Sequence, residues 1–179
     1  MGDSRPRRLE EHAAREIGLA LLLLALALVQ SALLPRPGGL ALNLLLLLTI
    51  CHALLAGPAS AARWAFYGGL SLDICAGSTL GSHALALLAS TLLPALVLAR
   101  LSRRNWLLPI LGAALGAATY YAVLGLIMAL LVSPVDPRAY GVVVALPGIF
   151  LAVIPALPLF LALRWLEMRR RGEVPVDVY

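Results

Sequence analysis

Residues 69–87 read GLSLDICAGSTLGSHALAL. Apolar sequence runs into an aspartate, breaks at glycine, serine and threonine, meets a histidine and becomes apolar again. The pattern is that of one helix ending, a turn, and a second helix beginning. The rest of the chain decides what medium surrounds it. The chain has 179 residues, 61% of them hydrophobic, with a mean hydropathy of +0.93. A soluble domain is about 45–50% apolar. This excess, carried in runs close to the length of a bilayer crossing, places the chain in a membrane.

Six spans are predicted outward from that stretch: 17–34, 40–56, 61–77, 80–99, 105–132 and 140–166. Between them lie PRPGG at 35–39, GPAS at 57–60, GST at 77–79, SRRN at 102–105 and SPVDPR at 133–138, all rich in turn-forming residues. Only helices and closed barrels satisfy their backbone in lipid, and these runs lack strand alternation. The expected architecture is therefore all-α: a cytoplasmic segment 1–16, a six-helix membrane domain 17–166 and a cytoplasmic tail 167–179. The first run is longer than a signal-peptide core and lacks a small-residue cleavage site, so it reads as a retained helix. Glu10, Glu11, Arg15 and Glu16 fit an extension of that helix beyond the membrane, and the polar tail after Arg171 reads as loose.

Charge sets the orientation. All the basic residues are arginines, and the net charge is +5. With the N-terminus inside, the cytoplasmic segments hold Arg5, Arg7, Arg8, Arg15, Arg63, Arg100, Arg103, Arg104, Arg164, Arg169, Arg170 and Arg171, against Arg36 and Arg138 outside. This asymmetry predicts both termini in the cytoplasm. Trp64, Trp106 and Trp165 sit beside arginines at the predicted cytoplasmic ends, at headgroup level. The arginines flank apolar spans, which favours lipid headgroups over nucleic acid as their partner. Arg103, Arg104 and Arg169 to Arg171 are candidates for contact with headgroups or with a partner protein.

An ionised Asp73 facing lipid near mid-bilayer would cost about 2.5–3.5 kcal/mol on insertion scales. It must face protein or water. Ala62, Phe66, Gly69 and Asp73 recur at helical spacing and predict a shared face, with Gly69 admitting a close neighbour. Ser78 or Thr79 is the expected cap of the fourth helix, whose first turn offers unpaired N–H groups. Asp73 then reads as a structural joint between the third and fourth helices, with His83 as a second candidate partner. A proton or ion relay through Asp73 and His83, and a direct contact with a partner or ligand, are the alternatives.

The remaining polar groups, His52, Asn43, Thr49, Tyr120 and Tyr121, read as scattered. A lone membrane histidine such as His52 suits a hydrogen bond between helices. Cys51 and Cys75 read as small buried hydrophobes, neither a disulfide nor a metal site. There is no HExxH, phosphate loop or serine elbow, so neither an enzyme nor a cofactor is expected. Two helical features remain. Gly112 and Gly116 form a GxxxG that lets a helix from this chain or another approach closely. Pro147, Pro155 and Pro158 predict a kinked or locally unwound last span, shaping packing or a substrate site.

The segment 69–87 also resembles the characteristic segment of the MreD family of rod-shape-determining membrane proteins. The matching positions are Gly69, Leu70, Asp73, Gly77, Ser78, Leu80, Gly81, His83, Ala84 and Leu85. Length, span count and small loops fit as well. The resemblance implies a fold similar to the six-helix S-components of energy-coupling-factor vitamin transporters, with no catalytic activity. It implies a scaffold of the bacterial cell-wall elongation complex in the inner membrane. MreC is the direct partner so implied, with MreB, RodA and a class B penicillin-binding protein in the same machinery. On that reading Gly112 and Gly116 become a candidate contact for MreC or for a second copy of the chain. The rival functions are a small-molecule, vitamin-like binding subunit of a transporter, and a membrane enzyme or proton channel.

Overall fold

A computed structural model describes residues 6–33, 42–98, 106–131 and 136–171, and all their regular structure is helical. The elements are α1 (Pro6–Leu33), α2 (Leu44–Ala56), α3 (Pro58–Ala76), α4 (Ser82–Val97), α5 (Leu107–Leu131), the short α6 (Pro137–Tyr140), a π-helical turn (Gly141–Ala145) and α7 (Leu146–Arg171).

Among the described residues, three continuous helical stretches are long and apolar enough to cross a membrane: Glu10–Ala32, Leu107–Leu131 and Pro137–Arg169. Their large apolar side chains stand exposed, among them Leu21 and Leu22 on α1, Leu130 and Leu131 on α5, and Phe150 and Ile154 on α7. Such a surface suits lipid rather than water. The apolar helices α2 and α4 are shorter, at 13 and 16 residues. At 1.5 Å per residue they reach about 20 and 24 Å, less than the ~30 Å hydrocarbon layer.

Helix α2 is apolar on every side, as suits a helix at the centre of a bundle. Leu45, Leu46, Leu47, Ile50 and Cys51 are all at most 1% exposed, and α2 touches α1, α3, α4, α5 and α7. Helix α3 packs most extensively on α4, and α5 packs on α4 and α7.

Several boundaries differ from the sequence reading for one reason: proline opens helices here. GPAS is not a four-residue turn. Gly57 alone separates α2 from α3, and Pro58 begins α3, where a missing N–H has no partner to lose. Likewise SPVDPR does not end as a turn. Asp136 accepts a hydrogen bond from the Arg138 N–H at 3.0 Å, and Pro137 opens α6. Helix α1 begins at Pro6, eleven positions before the apolar run, so Glu10, Glu11, Arg15 and Glu16 are helical. Glu16 there pairs with Arg63 of α3.

The last span is widened rather than unwound. The π turn lies just before Pro147, where the Leu146 N–H bonds back to the Gly141 carbonyl. Pro147 can neither donate to the preceding turn nor fit tightly under it, and the wider turn accommodates both constraints. Pro155 and Pro158 stay within α7.

Gly112 and Gly116 face inward. A Cβ on Gly112 would meet Leu54 of α2, and one on Gly116 would meet Ile50 of α2 and the Ser90 carbonyl of α4. The GxxxG is consumed within the chain, which corrects its reading as a contact for a partner or a second copy. The Ser90 carbonyl is the one that Pro94 cannot satisfy, having no N–H four residues later. Gly116 lets the α5 backbone close over it.

Candidate functional site: a buried polar layer around Asp73

Asp73 sits on the buried side of α3, 1% exposed. The buried stripe runs through Ala61, Ala65, Gly68, Gly69, Leu72 and Asp73. Phe66 is 47% exposed and off that face, which corrects its predicted place beside Gly69 and Asp73. At Gly69 the two helices nearly touch, since an added Cβ would run into the backbone of His83 and Ala84. This approach delivers the Asp73 carboxylate to the start of α4.

The carboxylate meets five donors. Its Oδ1 accepts from the Ser78 hydroxyl at 3.0 Å, the Ser82 hydroxyl at 3.0 Å and the His83 N–H at 2.9 Å. Its Oδ2 accepts from the Gly81 N–H at 2.8 Å and the Ala84 N–H at 3.4 Å. The Ser82 hydroxyl shares its one proton with the Thr79 carbonyl at 2.8 Å. Every group facing the carboxylate donates, so the site is built for the anion at the positive end of a helix.

The cap assignment is thereby corrected. Neither Ser78 nor Thr79 caps α4; the cap position is Gly81, and Asp73 supplies the capping oxygens from another helix. The first turn is then fully satisfied. The Ser82 N–H bonds the Thr79 carbonyl, His83 and Ala84 bond Asp73, and the Leu85 N–H bonds the Gly81 carbonyl. Gly77 and Gly81 have φ of +61° and +96°, left-handed conformations that let the turn double back within reach of Asp73.

His83 contributes its backbone to Asp73 and its ring to a different helix. Its Nδ1 lies 2.7 Å from the Tyr120 hydroxyl of α5. That hydroxyl also comes within reach of the Asn43 side chain. Asn43 caps α2, its Oδ1 accepting from the Leu46 N–H at 3.0 Å and from Gln30 Nε2 at 3.3 Å. Gln30 of α1 in turn accepts from the Leu45 N–H at 3.1 Å. Asn43 Oδ1 is occupied by Leu46 and Gln30, and the Tyr120 hydroxyl pairs with His83 Nδ1.

One polar layer thus links α1, α2, α3, α4 and α5. The sequence reading missed Gln30 and Ser82 and took Asn43 and Tyr120 as scattered. Gln30 carries the one visible signal, as the amide ending an otherwise apolar run. Thr49, Tyr121 and His52 stand outside this layer. Thr49 bonds back to its own helix at the Leu45 carbonyl, 2.9 Å away, and Tyr121 accepts at its carbonyl from the Tyr140 hydroxyl at 3.1 Å. His52 reaches Ser60 of α3 at 3.0 Å and stacks on Trp64 with ring centroids 4.3 Å apart.

Cys51 is buried, Cys75 is half-buried, and both are free thiols. Among the described residues no cluster of three His, Cys, Asp or Glu side chains could hold a metal ion. Of the candidate cytoplasmic contacts, Arg169 lies 3.7 Å over the Trp165 ring, a cation–π pair. Arg170 and Arg171 belong to the end of α7, whereas Arg103 and Arg104 lie outside the described residues, as does the tail after Arg171.

Comparison with known proteins identifies no relative: no family model, curated protein or solved structure matches the chain.

Proposed function

We propose that the chain is a non-catalytic scaffold subunit of the bacterial cell-wall elongation complex, an MreD-like protein that binds MreC and helps maintain rod shape. In this reading it is a six-span protein of the cytoplasmic membrane with both termini inside, folded like the S-components of energy-coupling-factor transporters. RodA, MreB and a class B penicillin-binding protein are its wider company.

The observation that carries the proposal is the commitment of Asp73. Its oxygens are occupied by the start of α4 and by Ser78 and Ser82, leaving it no free face for a substrate or a travelling proton. The family-like segment then has a folding duty at Gly69, Asp73, Gly77, Gly81, His83 and Ala84. A protein whose distinctive motif holds its own helices together acts through its surface. With Gly112 and Gly116 engaged inside the chain, that surface lies on other faces.

The transporter-like reading would need a polar pocket, and the concavity seen among the described residues is a lateral groove of about 300 Å³ beside α5 and α6. Its lining is nearly all apolar, where a vitamin-like solute needs convergent polar groups. That favours the scaffold.

Co-expression with the MreC of the same genome, with a tag on either protein, tests the proposal. A complex stable in mild detergent, together with rounding of cells depleted of this chain, is expected. A folded, monodisperse protein that captures no MreC, in cells that stay rod-shaped, would overturn it and direct attention to small ligands.

A further inference from the structure

Two tyrosines fasten α5 to the last helical stretch, and each seats on a glycine of the other side. Tyr140 of α6 lies on Gly125 of α5, where an added Cβ would come 2.7 Å from its ring. Its hydroxyl donates to the Tyr121 carbonyl at 3.1 Å. Tyr121 in turn covers Gly148 of α7, where an added Cβ would strike its ring and hydroxyl. Tyr121 and Gly125 stand one turn apart, so both contacts lie on one side of α5. Their counterparts, Tyr140 and Gly148, must therefore share a side as well. They are eight positions apart in the chain. At 3.6 residues per turn an unbroken α-helix would set them about 80° apart. The π turn Gly141–Ala145 lies between them, and its bond from the Leu146 N–H to the Gly141 carbonyl encloses one residue more than an α turn does. Eight positions then count as seven, and the two residues fall within about 20° of each other.

We infer that the π turn is a register device: it absorbs one surplus residue so that both tyrosine contacts close at once. Proline is not a sufficient cause. Pro94, Pro155 and Pro158 lie inside helices that stay α. Pro147 tolerates the wide turn, and the register requires it. Val142 and Val143 of the turn stand exposed, so the number of residues there matters more than their side chains. Out of register, Tyr140 would turn away from Gly125 and the start of the last helical stretch would come loose from α5. The device belongs to the packing of the chain itself and is independent of any partner.

A register device makes deletion and insertion unequal, and thermal unfolding of the purified full chain in detergent tests this. Deletion of Val143 should keep the wild-type midpoint, because the turn then closes as α with both contacts in place. One alanine inserted after Val143 should lower the midpoint by about 5 °C or more, because the count is now one too many. Tyr140→Phe removes the bond to the Tyr121 carbonyl and so reports whether the contact is made. It should lower the midpoint by about 3 °C in the wild type and in the deletion, and by nothing in the insertion. A deletion that melts as low as the insertion, or that does not fold, would overturn the inference. So would an insertion that melts like the wild type, or a Tyr140→Phe loss that persists in the insertion or is missing from the wild type. If the insertion does not fold, the deletion and its Tyr140→Phe partner decide alone.

Discussion

A carboxylate 1% exposed in an apolar bundle is tolerable only if its oxygens are fully engaged, and at Asp73 they are. Removing it strands the N–H groups of Gly81 and His83, each at about 1–3 kcal/mol. Asp73→Ala should therefore lower stability in detergent by roughly 3 kcal/mol or more. Asp73→Asn keeps one acceptor but turns an NH₂ toward the N–H of Gly81, so about half that loss is expected. Chemical unfolding of the two variants decides: wild-type midpoints for both, with loss of partner binding, would make the charge itself the functional element. Thr91 supplies the opposite case. It is wholly buried and its hydroxyl has no partner among the described residues, so Thr91→Val should raise stability by about 1 kcal/mol. An unchanged or lower midpoint would mean the hydroxyl is bonded. The tie from Asp73 to the start of α4 was legible because it closes over few residues. The pairing of His83 with Tyr120 was not, since it spans 37 positions and depends on how α4 and α5 pack.

At the scale of elements, three glycines set how closely the helices approach, and their surroundings rank them. A Cβ at Gly69 meets only backbone, that of His83 and Ala84. At Gly116 it meets the movable end of Ile50 and the Ser90 carbonyl, and at Gly112 chiefly the tip of Leu54. Gly69→Ala should therefore be the most damaging, Gly116→Ala intermediate and Gly112→Ala the mildest, within the ~1–3 kcal/mol typical of overpacking. Thermal unfolding of the three variants checks the order, and Gly112→Ala proving the worst would refute this packing of α5 on α2. The helices themselves fall where hydrophobic runs predicted them, because long apolar periodicity is a strong signal. Their starts were misplaced at Pro58 and Pro137, where a residue read as a breaker serves as the first helical position. The fate of the GxxxG was hidden as well, since small residues announce a close approach but not the identity of the approaching helix.

At the scale of the whole molecule, length and composition qualify three helical stretches among the described residues as crossings, while the apolar runs of the sequence predict six. The difference rests on α2, α3 and α4, and the junctions that flank α3 separate the two counts. Ala59, just after the Gly57 junction, and Thr79, in the turn after α3, are both exposed. About 20 residues of helix lie between them, or about 30 Å, the thickness of the hydrocarbon layer. Single cysteines at these positions, in a background of Cys51→Ala and Cys75→Ser, report which side each occupies. Cys51 is a core residue whose hydrogen bond is one long contact to the Ala156 carbonyl, at 4.0 Å, so the small Cys51→Ala change should cost little stability and keep the fold. With the N-terminus inside, a membrane-impermeant maleimide should label Thr79→Cys in intact spheroplasts and Ala59→Cys only after lysis. The reverse pattern would invert the topology and put the arginine-rich ends outside. Labelling of both positions from one side would mean that α3 does not cross. The polar layer of Gln30, Asn43, Asp73, His83 and Tyr120 would then require a different place relative to the bilayer.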